Sequence, residues 1–167
     1  SMIRRLRPLF FALAGGLAFA GALAQPAVRL TPEVVAGGLQ NPWGLAFIGD
    51  GRLLVTERPG RLRVVEADGR LSPPLKGLPE VDAVGQGGLL DVITDRDFAR
   101  NRTVHFCYSE PGLVGNSTAM ASARLSDDRT ALENLRVVFS QKPKVGSRLH
   151  FGCRIVQADD GSFFLTL

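Results

Sequence analysis

Gly44-Leu45-Ala46-Phe47-Ile48, a turn at Gly51 and Leu53-Leu54-Val55-Thr56 return later as Gly152-Cys153-Arg154-Ile155-Val156, a turn at Gly161 and Phe163-Phe164-Leu165-Thr166. Each half is an apolar run of strand length bounded by Gly and Asp, the pattern of an antiparallel hairpin closed by a tight turn. A looser copy, Gly88-Leu89-Leu90-Asp91-Val92 with Val104-His105-Phe106, lies between them. The three copies start 44 and then 64 residues apart. A propeller blade takes about 40–50 residues, so the first spacing fits one blade and the second a blade enlarged by loops. Short strands with Asp-Gly turns also build sandwiches and simple barrels. The repetition of strand, turn and strand favours an all-β fold of propeller type. Roughly two and a half units are present, whereas a closed propeller needs about four to eight. Residues 25–167 are therefore expected to be the N-terminal part of a longer propeller.

The segments between the repeats agree with this reading. Residues 61–64 alternate polar and apolar, as a half-exposed strand does, and 71–79 are a proline-rich loop. A polar connection over 95–102 leads into a strand at 103–108, and 111–116 form a loop. Ala119, Ala121, Ala123 and Leu125 share one strand face, with Met120, Ser122 and Arg124 on the other. Further strands are expected at 135–139, 151–156 and 163–167, and no amphipathic helix of useful length follows residue 25.

Residues 1–24 have the form of a signal peptide. Arg4, Arg5 and Arg7 make a basic head, 9–24 carry no charge, and Ala22-Leu23-Ala24 is a small-x-small cleavage signal. The apolar run is 16 residues, short of the roughly 20 that a spanning helix needs. Cleavage and export, to the periplasm or beyond, are expected rather than a stable membrane span. Taking these three arginines from 20 basic residues leaves 17 against 16 acidic ones, a net charge of about +1. With both signs mixed and no basic stripe, nucleic-acid binding is not expected. In an exported chain Cys107 and Cys153 could pair, but both sit in apolar runs and two buried thiols are the favoured reading.

His150 is the main candidate for chemistry. It lies between a basic, irregular stretch over 141–148 and a strand-like run. An imidazole can accept a hydroxyl proton while a hydride leaves the same carbon. The alternative is a structural histidine bonded to backbone. Gln86 stands among Gly85, Gly87 and Gly88. Its amide both donates and accepts, which suits a sugar hydroxyl, and the alternative is an exposed Gln in a glycine-rich connection. No GK[ST] follows, so this is not a phosphate loop. Asp91 is expected to pair with an arginine, and Trp43 to pack at the start of a blade. Asp95, Asp97, Asp159 and Asp160 lie in turns without a calcium-loop pattern, so no metal site is expected among these residues.

Asn41-Pro42-Trp43-Gly44-Leu45-Ala46-Phe47, Gly85-Gln86-Gly87-Gly88-Leu89-Leu90-Asp91-Val92, Asp97-Phe98, Tyr108-Ser109-Glu110 and His150-Phe151-Gly152-Cys153-Arg154 together resemble the soluble glucose/sorbosone dehydrogenase family. Within it they resemble the PQQ-dependent aldose sugar dehydrogenases. The resemblance implies a six-bladed propeller that binds pyrroloquinoline quinone (PQQ) and calcium, oxidises an aldose sugar and passes electrons to an external acceptor. It implies His150 as the general base at the anomeric hydroxyl and Gln86 as a sugar contact. Leu149 stands where the soluble glucose dehydrogenase branch has Asp, which favours the aldose branch. Cys153 stands where a small residue is usual. The family's PQQ and calcium ligands come from later blades, so this chain alone is expected not to turn over. A non-catalytic propeller that binds a sugar or a protein is the alternative function.

Overall fold

The computed structural model describes residues 29–167, so the expected leader over 1–24 lies outside the described residues. Within the unit Glu33–Leu167, nine strands form three antiparallel sheets. β1 (Pro42–Phe47), β2 (Leu53–Glu57) and β3 (Arg61–Val65) make the first, in sequential order. β4 (Leu89–Thr94), β5 (Thr103–Pro111), β6 (Asn116–Leu125) and β7 (Leu132–Ser140) make the second, again in order. β8 (Ile155–Gln157) pairs with β9 (Phe163–Leu165) in the third. A single turn of helix, α1 (Phe98–Asn101), interrupts the β4–β5 connection. Successive meanders with a packed core between neighbours are the arrangement of consecutive propeller blades.

Alternation along each strand builds two cores. On β5, Val104, Phe106 and Tyr108 turn toward the first sheet, where Leu54, Leu62 and Val64 meet them together with Ala119, Ala121 and Ala123 of β6. Cys107 faces the other way and joins Leu90, Met120 and Ile155 in a second cluster between the second and third sheets. Both faces of β4, β5 and β6 are thus covered, while β7 is largely exposed. Each large aliphatic side chain buried there contributes roughly 1.5–3 kcal/mol of transfer free energy.

The repeat is in register, with one correction. β1 and β2 pair Leu45 with Val55 and Phe47 with Leu53, while β8 and β9 pair Ile155 with Leu165 and Gln157 with Phe163. The turns correspond likewise, Gly49-Asp50-Gly51 to Asp159-Asp160-Gly161. Even a side-chain bond repeats: Thr56 Oγ1 accepts from the Gly44 amide at 2.8 Å and Thr166 Oγ1 from the Arg154 amide at 2.9 Å. Gly44 therefore corresponds to Arg154, not to Gly152. A slip of two residues keeps every side chain on its face, so alternation alone does not detect it.

Three other expectations change. The strand expected from Phe151 begins only at Ile155, because His150 (φ +63°) and Cys153 (φ +142°) lie outside the β region. Cys107 and Cys153 are not two thiols but a disulfide, with Cα atoms 6.5 Å apart, since Cys107 faces the segment that leads into β8 and carries Cys153. Trp43 is not packed away. It is 52% exposed and lines an apolar groove with Val34, Val35 and Leu45. Asp91 does pair with Arg154, at 3.3 Å, and its second oxygen accepts from the buried Ile155 amide at 2.9 Å.

A second polar link joins these sheets. His105 Nε2 lies 3.2 Å from Asp95 Oδ2 and Nδ1 lies 2.5 Å from Ser122 Oγ. A carboxylate only accepts, so Nε2 carries the ring proton and Nδ1 accepts from the Ser122 hydroxyl. Gln157 of β8 also donates to Asp95 Oδ2, at 3.0 Å. Burial lowers the pKa of His105, against the pull of Asp95. Burial alone would raise Asp95, but hydrogen bonds from Asn101, the Asp97 amide, His105 and Gln157 hold it well below the usual carboxylate range.

Both shifts act on stability in the same direction. Below the ordinary histidine value of 6.5 the unfolded chain takes up a proton that buried His105 resists, so stability falls as pH drops through that range. Below the ordinary aspartate value of 3.8 the unfolded chain protonates its carboxylates before Asp95 does, and stability falls again. The melting temperature should therefore decline in two stages between pH 8 and pH 3. His105→Gln should remove the upper stage and leave the lower, which Glu57, Glu66 and Glu110 share. Circular dichroism melts across that range check this, and an upper stage persisting in the variant contradicts the assignment to His105.

Candidate active site

His150 and Gln86, 64 residues apart in the chain, meet at one end of the middle sheet, where the His150 amide donates to Gln86 Oε1 at 2.7 Å. The Gln86 amide in turn donates to the Arg148 carbonyl at 2.8 Å. The two segments that carry the sequence-predicted residues are thus joined by two hydrogen bonds, one running each way. The His150 side chain is exposed and lines a pocket of about 200 Å³ with Ser117, Thr118, Gln141 and Phe151. A left-handed backbone at a residue other than glycine costs of order 1–3 kcal/mol and persists only where its surroundings fix it.

Those surroundings come from β5, β6 and the approach to His150. Asn116 Nδ2 donates to Asp82 Oδ2 at 2.7 Å and to the Ser147 carbonyl at 3.0 Å, tying the start of the glycine loop to the histidine segment. Lys144 binds Glu110 and, at 2.9 Å, Ser117 Oγ. Burial pushes the pKa of Glu110 up, but Lys144 and Ser140 outweigh it and leave the carboxyl ionised at lower pH than usual. The irregular stretch over 141–148 is therefore anchored at Lys144 and at Ser147.

Close approach explains two of the glycines. A Cβ at Gly85 (φ +65°) would stand 2.4 Å from the Arg148 carbonyl oxygen, and one at Gly88 (φ +149°) would stand 2.3 Å from the Arg58 carbonyl oxygen. The backbone they admit belongs to the protein itself. Gln86 Oε1 is occupied by His150, so Gln86 can still offer a ligand the two donors of Nε2, which bond to nothing else among the described residues. Arg58 gave no signal in the sequence, yet its Nη1 reaches the carbonyls of Ala83, Gly85 and Gly87 at 3.1, 2.8 and 2.8 Å. Backbone acceptors leave no mark on side-chain identity, so only the fold discloses this contact.

The arrangement presents an exposed imidazole at a pocket and ties its backbone to the Gln86 side chain. Among the described residues no group of three or more His, Cys, Asp and Glu side chains could hold a metal ion. Lys144, on the approach to His150, is engaged by Glu110. Nor, among those residues, is any helix long and apolar enough to cross a membrane.

Residues 39–167 match the family model for Glucose / Sorbosone dehydrogenase. The aldose sugar dehydrogenase YliI of Escherichia coli (strain K12) is 45% identical over 137 residues, which cover 81% of this chain and 37% of that protein. A crystal structure of glucose dehydrogenase superposes with a TM-score of 0.75 at 47% identity, over 78% of this chain and 38% of that one. The PQQ-bound form of an aldose sugar dehydrogenase from Streptomyces coelicolor superposes with a TM-score of 0.65 at 29% identity, over 78% and 39%. The fold is a β-propeller, represented here by partial blades. The chain spans a little over a third of the length of the relatives it matches.

Proposed function

Because the chain belongs to the Glucose / Sorbosone dehydrogenase family, we propose that it is part of a quinoprotein that oxidises the anomeric carbon of aldose sugars. His150 is the proposed base. Its imidazole takes the proton of the anomeric hydroxyl as the carbon–oxygen double bond forms and the hydride departs. PQQ, when bound, would supply the quinone that accepts that hydride. Gln86 would donate from Nε2 to a sugar oxygen at the reacting end, with its other atom committed to the His150 amide. The observation that carries this reading is the hydrogen bond joining His150 to Gln86 beside a pocket.

The remaining assignments are also proposals. The basic and amide groups that hold PQQ, and the calcium ligands, lie outside the described residues, in further blades that complete six. On this reading the chain by itself does not turn over. The location is periplasmic or secreted, a reading supported by the basic and apolar leader and by the Cys107–Cys153 bond, which an oxidising compartment allows. Electrons leave to an external acceptor.

Reconstitution with PQQ and calcium tests the function, using an aldose and a dye acceptor. It should be run on this chain and on one extended to the length of its relatives. Dye reduction in the extended form alone is the expected result. Absence of PQQ binding and of dye reduction in both would favour the sugar- or protein-binding propeller instead.

A further inference from the structure

We propose that Arg58 is a positioning residue of this site, which holds the loop of Gln86 and through it the backbone of His150. The proposal rests on the reading of His150 as the base. Arg58 lies in the turn between β2 and β3, on the first blade, whereas Gln86 precedes the second blade and His150 the third. A single nitrogen, Nη1, faces three carbonyls of residues 83, 85 and 87, so alternate peptides of the glycine loop turn their oxygens toward one cation. The backbone of Arg58 adds a further bond, since its carbonyl accepts from the Leu89 amide at 3.0 Å. Among the described residues Arg58 forms no salt bridge, and the protein groups that its guanidinium meets are these carbonyl oxygens.

The consequence falls on one peptide unit. The carbonyl of the Gly85–Gln86 peptide accepts from Arg58, and the N–H of the same peptide donates to Arg148. A peptide plane bonded at both ends cannot rotate without losing both bonds. That plane sets the direction in which the Gln86 side chain leaves the loop, and its Oε1 fixes the His150 amide. A lysine at position 58 keeps the charge on a single donor nitrogen, and a methionine keeps only the stem.

Hydrogen exchange and kinetics on the chain extended to the length of its relatives test this. In the unsubstituted protein the Gln86 and His150 amides should exchange with one common opening rate, and independent opening overturns the proposal. In Arg58→Met both amides should lose protection about tenfold or more, while those of β5 and β6 keep theirs. Unchanged protection at Gln86 and His150 overturns it. A variant that loses protection throughout has merely unfolded, and then Arg58→Lys and the common opening rate decide. In aldose oxidation Arg58→Met should lower kcat by about ten- to a hundredfold, as misplacement of a reacting group does, with KM changed less. Added guanidinium ion should restore part of it. A fall confined to KM, or no restoration by guanidinium, counts against positioning. If no form oxidises aldose but the two amides still respond together to Arg58, the positioning stands and the assignment of His150 as base fails.

Discussion

His150→Asn is expected to lower kcat for aldose oxidation by about 10²- to 10⁴-fold in a chain extended to the length of its relatives, the range a positioned general base supplies. Asparagine is the informative replacement. His150 has φ +63°, and Asn tolerates that left-handed backbone better than most residues. The hydrogen bond to Gln86 uses the backbone amide of His150, so it survives the change of side chain. The variant thus keeps the loop and loses the proton acceptor. Sugar affinity should persist, because the Gln86 donors remain. His150→Ala should show the same loss, with some added destabilisation from an unsuited φ. Wild-type turnover in His150→Asn would move the base to another residue.

The fold was legible in the sequence because two devices carried it. Period-two alternation placed Ala119, Ala121, Ala123 and Leu125 on one face, and they do face the core shared with the first sheet. The repeated Asp-Gly turns placed the hairpins. Where the reading failed, the cause was information that alternation does not hold. The alignment of Gly44 with Gly152 was two residues off, and a two-residue slip leaves both faces unchanged. Phe151 to Arg154 read as strand because the residues are apolar, while positive φ at His150 and Cys153 keeps the segment out of a ladder. The placement of Met120 on the face opposite the alanines did hold, and there it is buried with Leu90, Cys107 and Ile155. In the site, His150 and Gln86 stood out by residue type, and the structure brings them together. Their proximity, the Arg58 clamp and the Asn116 bridge are products of tertiary folding, in which most acceptors are carbonyl oxygens common to every residue.

Loss of the Cys107–Cys153 bond is the largest stability effect expected from this chain. The cysteines are 46 residues apart, and closing a loop of that size in the unfolded chain is worth about 4 kcal/mol in the chain-entropy treatment. For a unit of this size that corresponds to a fall of about 10–15 °C in melting temperature. The third sheet is where the loss should be felt first. Its two strands are three residues each, and Val156, Phe163 and Phe164 remain exposed. Apart from the disulfide, side-chain bonds hold it to the second blade: Asp91 to the Ile155 amide, Asp91 to Arg154, Asp95 to Gln157, and Arg96 to Asp159. The Arg96 and Arg154 pairs are exposed on at least one side and add little. The cross-link also sits three residues beyond His150, on the face of β5 that carries Leu90 and Met120 in its cluster. Cys107→Ala with Cys153→Ala should therefore melt early and should open residues 150–167 to hydrogen exchange before β5 and β6. Melts with and without reductant, alongside alkylation and mass measurement of the unreduced protein, check both halves of the expectation. If the unreduced protein takes up two alkyl groups, Cys107 and Cys153 are free thiols and the third sheet is held by the apolar cluster of Leu90, Met120 and Ile155 together with the Asp91, Asp95 and Arg96 bonds.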